Sequence, residues 1–405
     1  MRLLVLDEAW QAIGGVDTFR RFLLPALAAR VEKLWWANPA CVHSRRLTEI
    51  NLHGIDVLDT FPPTRSLGGV VSAIWRRLPP HWFPLLRARV QLALRRRHLR
   101  RLARRLDITH LLEICVFREP FPRFGIPVIG MVHDLDYPNR GHSPIDAIFR
   151  DWLKHASLMF TDSQQGRNEL LELEPTAAVR IQVITSPPTA PAEPRPARAG
   201  NRWRGAAPVL YYPAVATPRK NHAVLLAALA QLASRQVPFH CYFSGIGTDQ
   251  IFGDQPLAGA EAETVRRACQ PWREPLQGRI TALGSQPWSV VEELYAAADV
   301  VVLPTRYEGF GLPLSEALRR GVPIVASRIP TFEEQVAIYQ AADQVRWVPP
   351  GNPEALAEAL AGALSDTAPF PPFPGELSAR LAAWTWEAFA DRVVTALAAA
   401  QTEVS

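Results

Sequence analysis

The stretch 299–326, DVVVLPTRYEGFGLPLSEALRRGVPIVA, decides the fold class. Asp299-Val300-Val301-Val302-Leu303-Pro304 is a short, unbroken apolar run rich in β-branched residues, the pattern of a strand buried on both faces. A turn containing Gly309 and Gly311 follows. Pro313-Leu314-Ser315-Glu316-Ala317-Leu318 then reads as a helix start, with proline in the first turn where its missing N–H costs nothing. Pro323–Ala326 reads as the next strand. Strand, turn, helix and strand in this order form the repeating unit of a parallel sheet covered by helices.

The same alternation extends in both directions. Upstream, short apolar runs stand at Leu3–Leu6, Leu34–Ala37, Ile108–Cys115, Pro127–Val132, Leu158–Thr161 and Ile181–Ile184. A stretch rich in proline and alanine follows, SPPTAPAEPRPARAGN at 186–201, which can form neither a helix nor a central strand. The alternation resumes at Val209–Tyr212, Phe239–Phe243, Arg279–Leu283, Val300–Leu303, Pro323–Ala326 and Val345–Val348. The expectation is therefore α/β: two Rossmann-like, doubly wound parallel-sheet domains at 1–185 and 206–383, joined by a linker at 186–205. Ligands of such sheets bind outside the carboxyl ends of the strands, so the cleft between the domains is the expected site. Four strand-end loops carry unusual chemistry: Gly14-Gly15, His133-Asp134, Arg219-Lys220 and the turn around Glu308.

Composition agrees with this plan. A chain of 405 residues exceeds what one core usually supports, and apolar residues, 48% of the total, are spread along its whole length. Cys41, Cys115, Cys241 and Cys269 lack CxxC spacing and read as small core hydrophobes in a reducing compartment. The apolar start at Met1–Leu6 is too short for a signal peptide and no run reaches the length of a membrane span, so a cytoplasmic protein is expected.

The turn before Pro313 should leave backbone N–H groups pointing into the cleft, and with the positive end of the helix they form an anion site suited to phosphate. Glu308 on the turn and Glu316 in the helix then flank that site. Two glutamates eight positions apart are commonplace; the glycines and the preceding strand give this pair its meaning.

EGFGLPLSEAL followed by GVPIVAS resembles the Glu-x7-Glu signature of family 4 (group 1) retaining glycosyltransferases of the GT-B fold. The resemblance covers most of the chain in the same order, through Gly14-Gly15-Val16, His133-Asp134, Thr161-Asp162-Ser163, Pro218-Arg219-Lys220-Asn221-His222 and Trp384-Thr385-Trp386-Glu387. It implies that Glu308 lies beside the transferred sugar and Glu316 holds the nucleotide's ribose. Backbone N–H groups of Gly309, Phe310, Gly311 and Leu312 would bind sugar hydroxyls and diphosphate. Gly14 and Gly15 would let the backbone approach the diphosphate closely. Lys220 and Arg219 would neutralise the departing diphosphate, and His133 would contact the donor sugar. The loop at Gly284 and Ser285 would select the base.

A final helix at about 384–402 would brace the first domain, which takes the acceptor. One position departs from the pattern: Ala214 stands where the family often has a further arginine. Asp134-Leu135-Asp136 could be taken for a metal-binding Asp-x-Asp, but its place after His133 matches the metal-independent family. No metal and no cofactor is expected beyond the sugar nucleotide itself.

The resemblance implies transfer of a hexose, with retained configuration, from a nucleotide diphosphate sugar to a hydroxyl of a glycan or lipid-linked glycan. PRKNH and HDLDYP are similar to segments of mannosyl-transferring members. Nucleotide-sugar epimerases and phosphorylases share the fold, and a silent sugar-nucleotide-binding scaffold would share the motifs. From Arg76 to Arg105 there are eleven arginines and no acid, with Leu85, Leu92, Leu99 and Leu106 seven apart. Two readings stand for this helix. It is the solvated outer face of a Rossmann domain, or it docks on anionic lipid at the inner face of the membrane with Trp75, Trp82 and Phe83 as anchors. The patch lacks the interleaved aromatics of a base-stacking surface, so nucleic acid is not expected.

Overall fold

The computed structural model of the chain describes residues 1–7, 15–37, 52–58, 83–117, 119–136, 140–189, 199–257, 259–365 and 370–400. Gly14, Cys41, Trp75, Arg76 and Trp82 lie outside the described residues.

Among the described residues thirteen strands form two sheets in which every pairing is parallel. The first contains β1 (Arg2–Leu6), β2 (Lys33–Ala37), β3 (Ile55–Leu58), β4 (His110–Glu113), β5 (Val128–Val132), β6 (Leu158–Thr161) and β7 (Ile181–Val183). The second contains β8 (Val209–Pro213), β9 (His240–Ser244), β10 (Ile280–Ala282), β11 (Val300–Leu303), β12 (Ile324–Ser327) and β13 (Val345–Val348). Strand orders are β3-β2-β1-β4-β5-β6-β7 and β10-β9-β8-β11-β12-β13. Each order reverses once, between β1 and β4 and between β8 and β11. The crevices where such sheets take ligands lie at these reversals. With solved structures of the same architecture reported below, this is the two-domain GT-B fold.

Each sheet is covered on both faces, which is why its strands read as unbroken apolar runs. In the first domain one face packs Leu4, Trp35, Leu111 and Val128 against Leu99, Phe149 and Trp152, and the other packs Leu3, Trp36 and Ile129 against Phe19 and Leu23. Helix Trp386–Ala400 completes that second face: Trp386, Phe389, Val393 and Leu397 are buried with Phe19 and Leu27, Trp386 meets Phe19 edge-on at 5.1 Å, and Arg30 reaches Asp391 at 2.6 Å. The second domain repeats the design with Leu210, Phe243 and Val302 on one face and Tyr211, Val301 and Ile324 on the other.

The segment expected to link the domains is held closely where it is described. Ser186 and Thr189 are fully buried, and the Tyr339 hydroxyl donates to the Ser186 carbonyl at 3.2 Å. Trp203 and Arg202 both bind Glu293 of the second domain. Residues 190–198 lie outside the described residues.

β3 answers to none of the expected runs. It is the edge strand, carries Asp56, and exposes its middle residues, so it lacks the signature of a strand buried on both sides.

Candidate active site at the interdomain cleft

β8 and β11 lie side by side, and the loops leaving their carboxyl ends bring the cationic and acidic residues together. After β8, Pro218-Arg219-Lys220 makes one 3-10 turn, Asn221 adopts a left-handed conformation (φ 63°), and helix His222–Ser234 begins. The Asn221 side-chain amide donates to the Pro304 carbonyl at 3.0 Å, so it does not cap its own helix. After β11 the Arg306 N–H and the Thr305 hydroxyl both donate to the Arg219 carbonyl, at 2.8 and 3.0 Å. The Tyr212 hydroxyl donates to the Lys220 carbonyl. These bonds lock the two loops to each other.

The result is a buried ion pair. Lys220 Nζ donates to both Glu308 oxygens, at 2.5 and 2.7 Å, and both residues are under a tenth exposed. Burial pulls the Lys220 pKa below its ordinary 10.5, Glu308 opposing the decrease and Arg219 adding to it. Helix Leu312–Arg319 starts three residues beyond Gly309, and no side chain caps its first turn. Gly311 has φ 87°, and a Cβ there would overlap the Phe332 ring, so both conformation and space demand glycine.

Glu316 is buried a turn into that helix. Its carboxylate accepts from the Tyr295 hydroxyl at 2.9 Å and from the Thr189 hydroxyl at 3.2 Å. Burial raises its pKa; Arg320, Tyr295 and Thr189 oppose the rise and Glu292 adds to it.

The first domain faces this wall. His133, at the end of β5, points Nδ1 at Asp162 Oδ2 (2.7 Å) and Nε2 at the Ile114 carbonyl (2.6 Å). Both partners are acceptors, an arrangement that favours the doubly protonated ring. Burial works to lower its pKa, but Asp162, the Ile114 carbonyl and Asp134 outweigh it and raise it above the ordinary 6.5. In this arrangement the ring is held from both of its nitrogens by groups of the first domain. The Phe19 ring packs against it at a tilt of 50°, 4.3 Å between centroids.

Arg219 also faces the first domain. It crosses the cleft to Asp134 (3.2 Å) and Asp136 (3.4 Å), so its charge is already balanced by carboxylates of the first domain. Ala214 is buried in the second domain's core, its methyl far from any role in charge. Gly15 opens helix Gly15–Ala28 after β1, at the reversal point of the first sheet. Phe310 and Leu312 are buried, the Phe310 carbonyl accepting from Gln335. Gly284 follows β10 with φ 68°; its N–H donates to the Thr248 hydroxyl at 3.0 Å and its carbonyl accepts from Gly245 N–H at 2.8 Å. Ser285 follows it in the same loop. Among the described residues no three His, Cys, Asp or Glu side chains converge as a metal site.

Two parts of the cleft escaped the sequence reading. The loop after β9, Ser244-Gly245-Ile246-Gly247, has two glycines at positive φ, and Gly245 packs so closely on the Ala214 carbonyl that a Cβ would overlap it. A Gly-x-Gly directly after a strand was the available signal. The other part is the bond between Glu169 and Tyr307 that joins the domains, for which the sequence carries no signal; Ser163, which joins them as well, lies in the Thr161-Asp162-Ser163 motif.

Comparison with known proteins places this geometry in a class. Across 98% of the chain the fold matches sucrose-phosphate synthase from Thermosynechococcus elongatus (TM-score 0.68, 18% identity, 98% of that chain) and Anabaena HepE in complex with UDP (TM-score 0.67, 17% identity, 100% of that chain). Residues 195–382, which span the second domain, match the family described as glycosyl transferases group 1. Among curated relatives, O-antigen chain mannosyltransferase B of Escherichia coli is 32% identical over 193 residues, 45% of this chain and 46% of that protein. Phosphatidyl-myo-inositol mannosyltransferase of Mycolicibacterium smegmatis is 28% identical over 178 residues, 44% of this chain and 41% of that protein. The matches thus span less than half the length of these relatives.

Proposed function

We propose that the protein is a retaining glycosyltransferase that moves a hexose, mannose by the leaning of its relatives' names, from a nucleotide diphosphate sugar to a hydroxyl of a glycan or lipid-linked glycan. The observation that carries this reading is the Lys220–Glu308 pair set between two helix N-termini without side-chain caps, at the reversal point of the second sheet. Two helix dipoles and a lysine aimed at one spot suit a diphosphate, and the carboxylate beside them suits the positive charge that develops on the sugar. A UDP complex of a protein with the same fold agrees with a nucleotide in this cleft.

In the proposed reaction the bond from the anomeric carbon to the diphosphate oxygen breaks, and the acceptor oxygen bonds to the same carbon on the same face. The acceptor's proton passes to the departing phosphate. Glu308 stabilises charge and orients the sugar, which distinguishes this scheme from one built on paired catalytic carboxylates. Lys220 moves its charge from Glu308 toward the leaving diphosphate as that charge grows, and Arg219 joins it by leaving Asp134 and Asp136. Glu316 exchanges the Thr189 hydroxyl for the ribose. No metal takes part.

The acceptor's chemistry finds support in helix Phe83–Arg105. Leu99, Leu102 and Ala103 are buried while Arg97, Arg100, Arg101, Arg104 and Arg105 are exposed, at spacings that put all five on one face. Such a face suits anionic lipid at on the order of 1 kcal/mol per residue near the surface. Among the described residues no helix is long and apolar enough to cross a membrane.

A thermal-shift panel of UDP-, GDP- and ADP-hexoses with the matching nucleoside diphosphates tests the donor. A ligand at 100 times its Kd adds about 2.7 kcal/mol of apparent stability. The expected result is a clear rise with one nucleotide series, followed by transfer with retained configuration read by NMR of the product. No shift with any member would sink the proposal.

A further inference from the structure

Glu308 belongs to the second domain, but its two neighbours are held by the first. On one side, the Tyr307 hydroxyl donates to Glu169 Oε2 at 2.7 Å and accepts from the Leu135 N–H at 3.2 Å. Glu169 is buried and is itself fixed by Arg140 (2.9 Å) and Gln165 (3.1 Å). On the other side, the Gly309 carbonyl accepts from the Ser163 hydroxyl at 2.7 Å. Ser163 caps helix Gln164–Leu173, its oxygen accepting from Gly166 N–H at 3.1 Å. Gly309 also lies so close to the His133 backbone that a Cβ would overlap the His133 carbonyl oxygen and come within 2.8 Å of Asp134 Cβ.

The segment before Tyr307 has no such dependence. Thr305 and Arg306 bind the Arg219 carbonyl within their own domain. Opening the cleft would leave residues 304–306 in place, with the Thr305 hydroxyl still donating to the Tyr307 carbonyl at 3.0 Å and Lys220 still paired with Glu308, and would remove the Tyr307 hydroxyl and Gly309 carbonyl contacts that tie the turn to the first domain on both sides of Glu308.

We infer that Tyr307 and Ser163 are positioning residues that fix the turn carrying Glu308 when the two domains have closed on each other. The inference rests on the proposed role of Glu308. It adds that the placement of this turn is completed by contacts with the opposite domain, so in an open cleft Lys220 alone holds the carboxylate and the backbone that carries it is free to shift. Gating of this kind separates binding from turnover: donor affinity is set by the second domain, and the chemical step by closure.

The test uses Tyr307→Phe, which keeps the ring and removes only the hydroxyl, Glu169→Gln, which keeps an acceptor oxygen, and their double variant, all in the full chain. Two readouts are taken: donor kinetics, and hydrogen exchange of the 307–311 amides without substrate. Each single variant is expected to lower kcat by about 10- to 100-fold with donor KM within about threefold, as for a displaced catalytic group. The double variant should be no worse than the weaker single, since both remove one interaction. Exchange at 307–311 should quicken while the core strands stay protected.

Wild-type kcat in Tyr307→Phe, additive losses in the double variant, or unchanged exchange would each overturn the inference. If no donor is turned over by the wild type, the reading of function fails separately, and the exchange measurement still decides whether the first domain holds this segment.

Discussion

Lys220 and Glu308 neutralise each other in a site from which water is largely excluded, so removing one leaves the other stranded. Glu308→Gln keeps an acceptor for the lysine and should fold normally, with kcat reduced by about a hundredfold or more and donor binding, read by thermal shift, largely retained. Lys220→Ala should cost stability as well as turnover, about 3 kcal/mol in denaturant titration, because Glu308 would be buried unpaired. His133 gives a pH signature. Its folded-state pKa lies above the ordinary 6.5, so its contribution to stability is complete below that pH and is lost as pH rises through the raised value. The stability gap between wild type and His133→Gln should therefore shrink as pH rises from 6 to 9, measured by denaturation midpoints. A gap that widened would contradict the charged ring. The types and positions of Glu308, Lys220 and Arg219 are legible in the sequence because each follows a strand. Their partners are not: that Arg219 faces Asp134 and Asp136, or Glu316 faces Thr189, depends on how the two domains meet.

The elements themselves are largely legible, for a physical reason. A strand covered on both faces needs a continuous apolar run, and among the described residues twelve of the thirteen strands overlap the runs read from the sequence, the edge strands β7 and β13 carrying Gln182 and Arg346 within theirs. The edge strand β3 and the Gly245–Gly247 loop break that rule, the first by carrying charge and the second by lying outside any apolar run. At the turn before helix Leu312–Arg319, glycine is required at 309 by the opposite domain and at 311 by its own. Gly309→Ala should therefore leave each sheet intact and push the domains apart. Expected readouts are an increased radius of gyration by small-angle scattering, a loss of about a hundredfold in turnover, and a small change in melting temperature. A compact, active Gly309→Ala protein would contradict the packing described.

At the scale of the whole molecule, helix Trp386–Ala400 follows the second domain in sequence and belongs to the first in space. Trp386→Ala should remove about 3–5 kcal/mol, as truncation of a large buried aromatic does, and chemical denaturation should show the first domain unfolding earlier with the second little changed. Loss of both transitions together would mean that the two cores are one cooperative unit. Within the sequence this helix is visible as an amphipathic stripe that the resemblance assigns to the first domain, and the aromatic contacts with Phe19 and Phe22 show how it completes that core. Its placement makes the polypeptide cross between the domains twice, once through 186–205 and once at Trp384-Thr385. A body tethered at one point can swivel in any direction; one tethered at two points swings about the line that joins them. Two crossings restrict the relative movement of the two domains more than one would, which favours the return of Tyr307, Ser163 and Gly309 to the same register each time the cleft shuts.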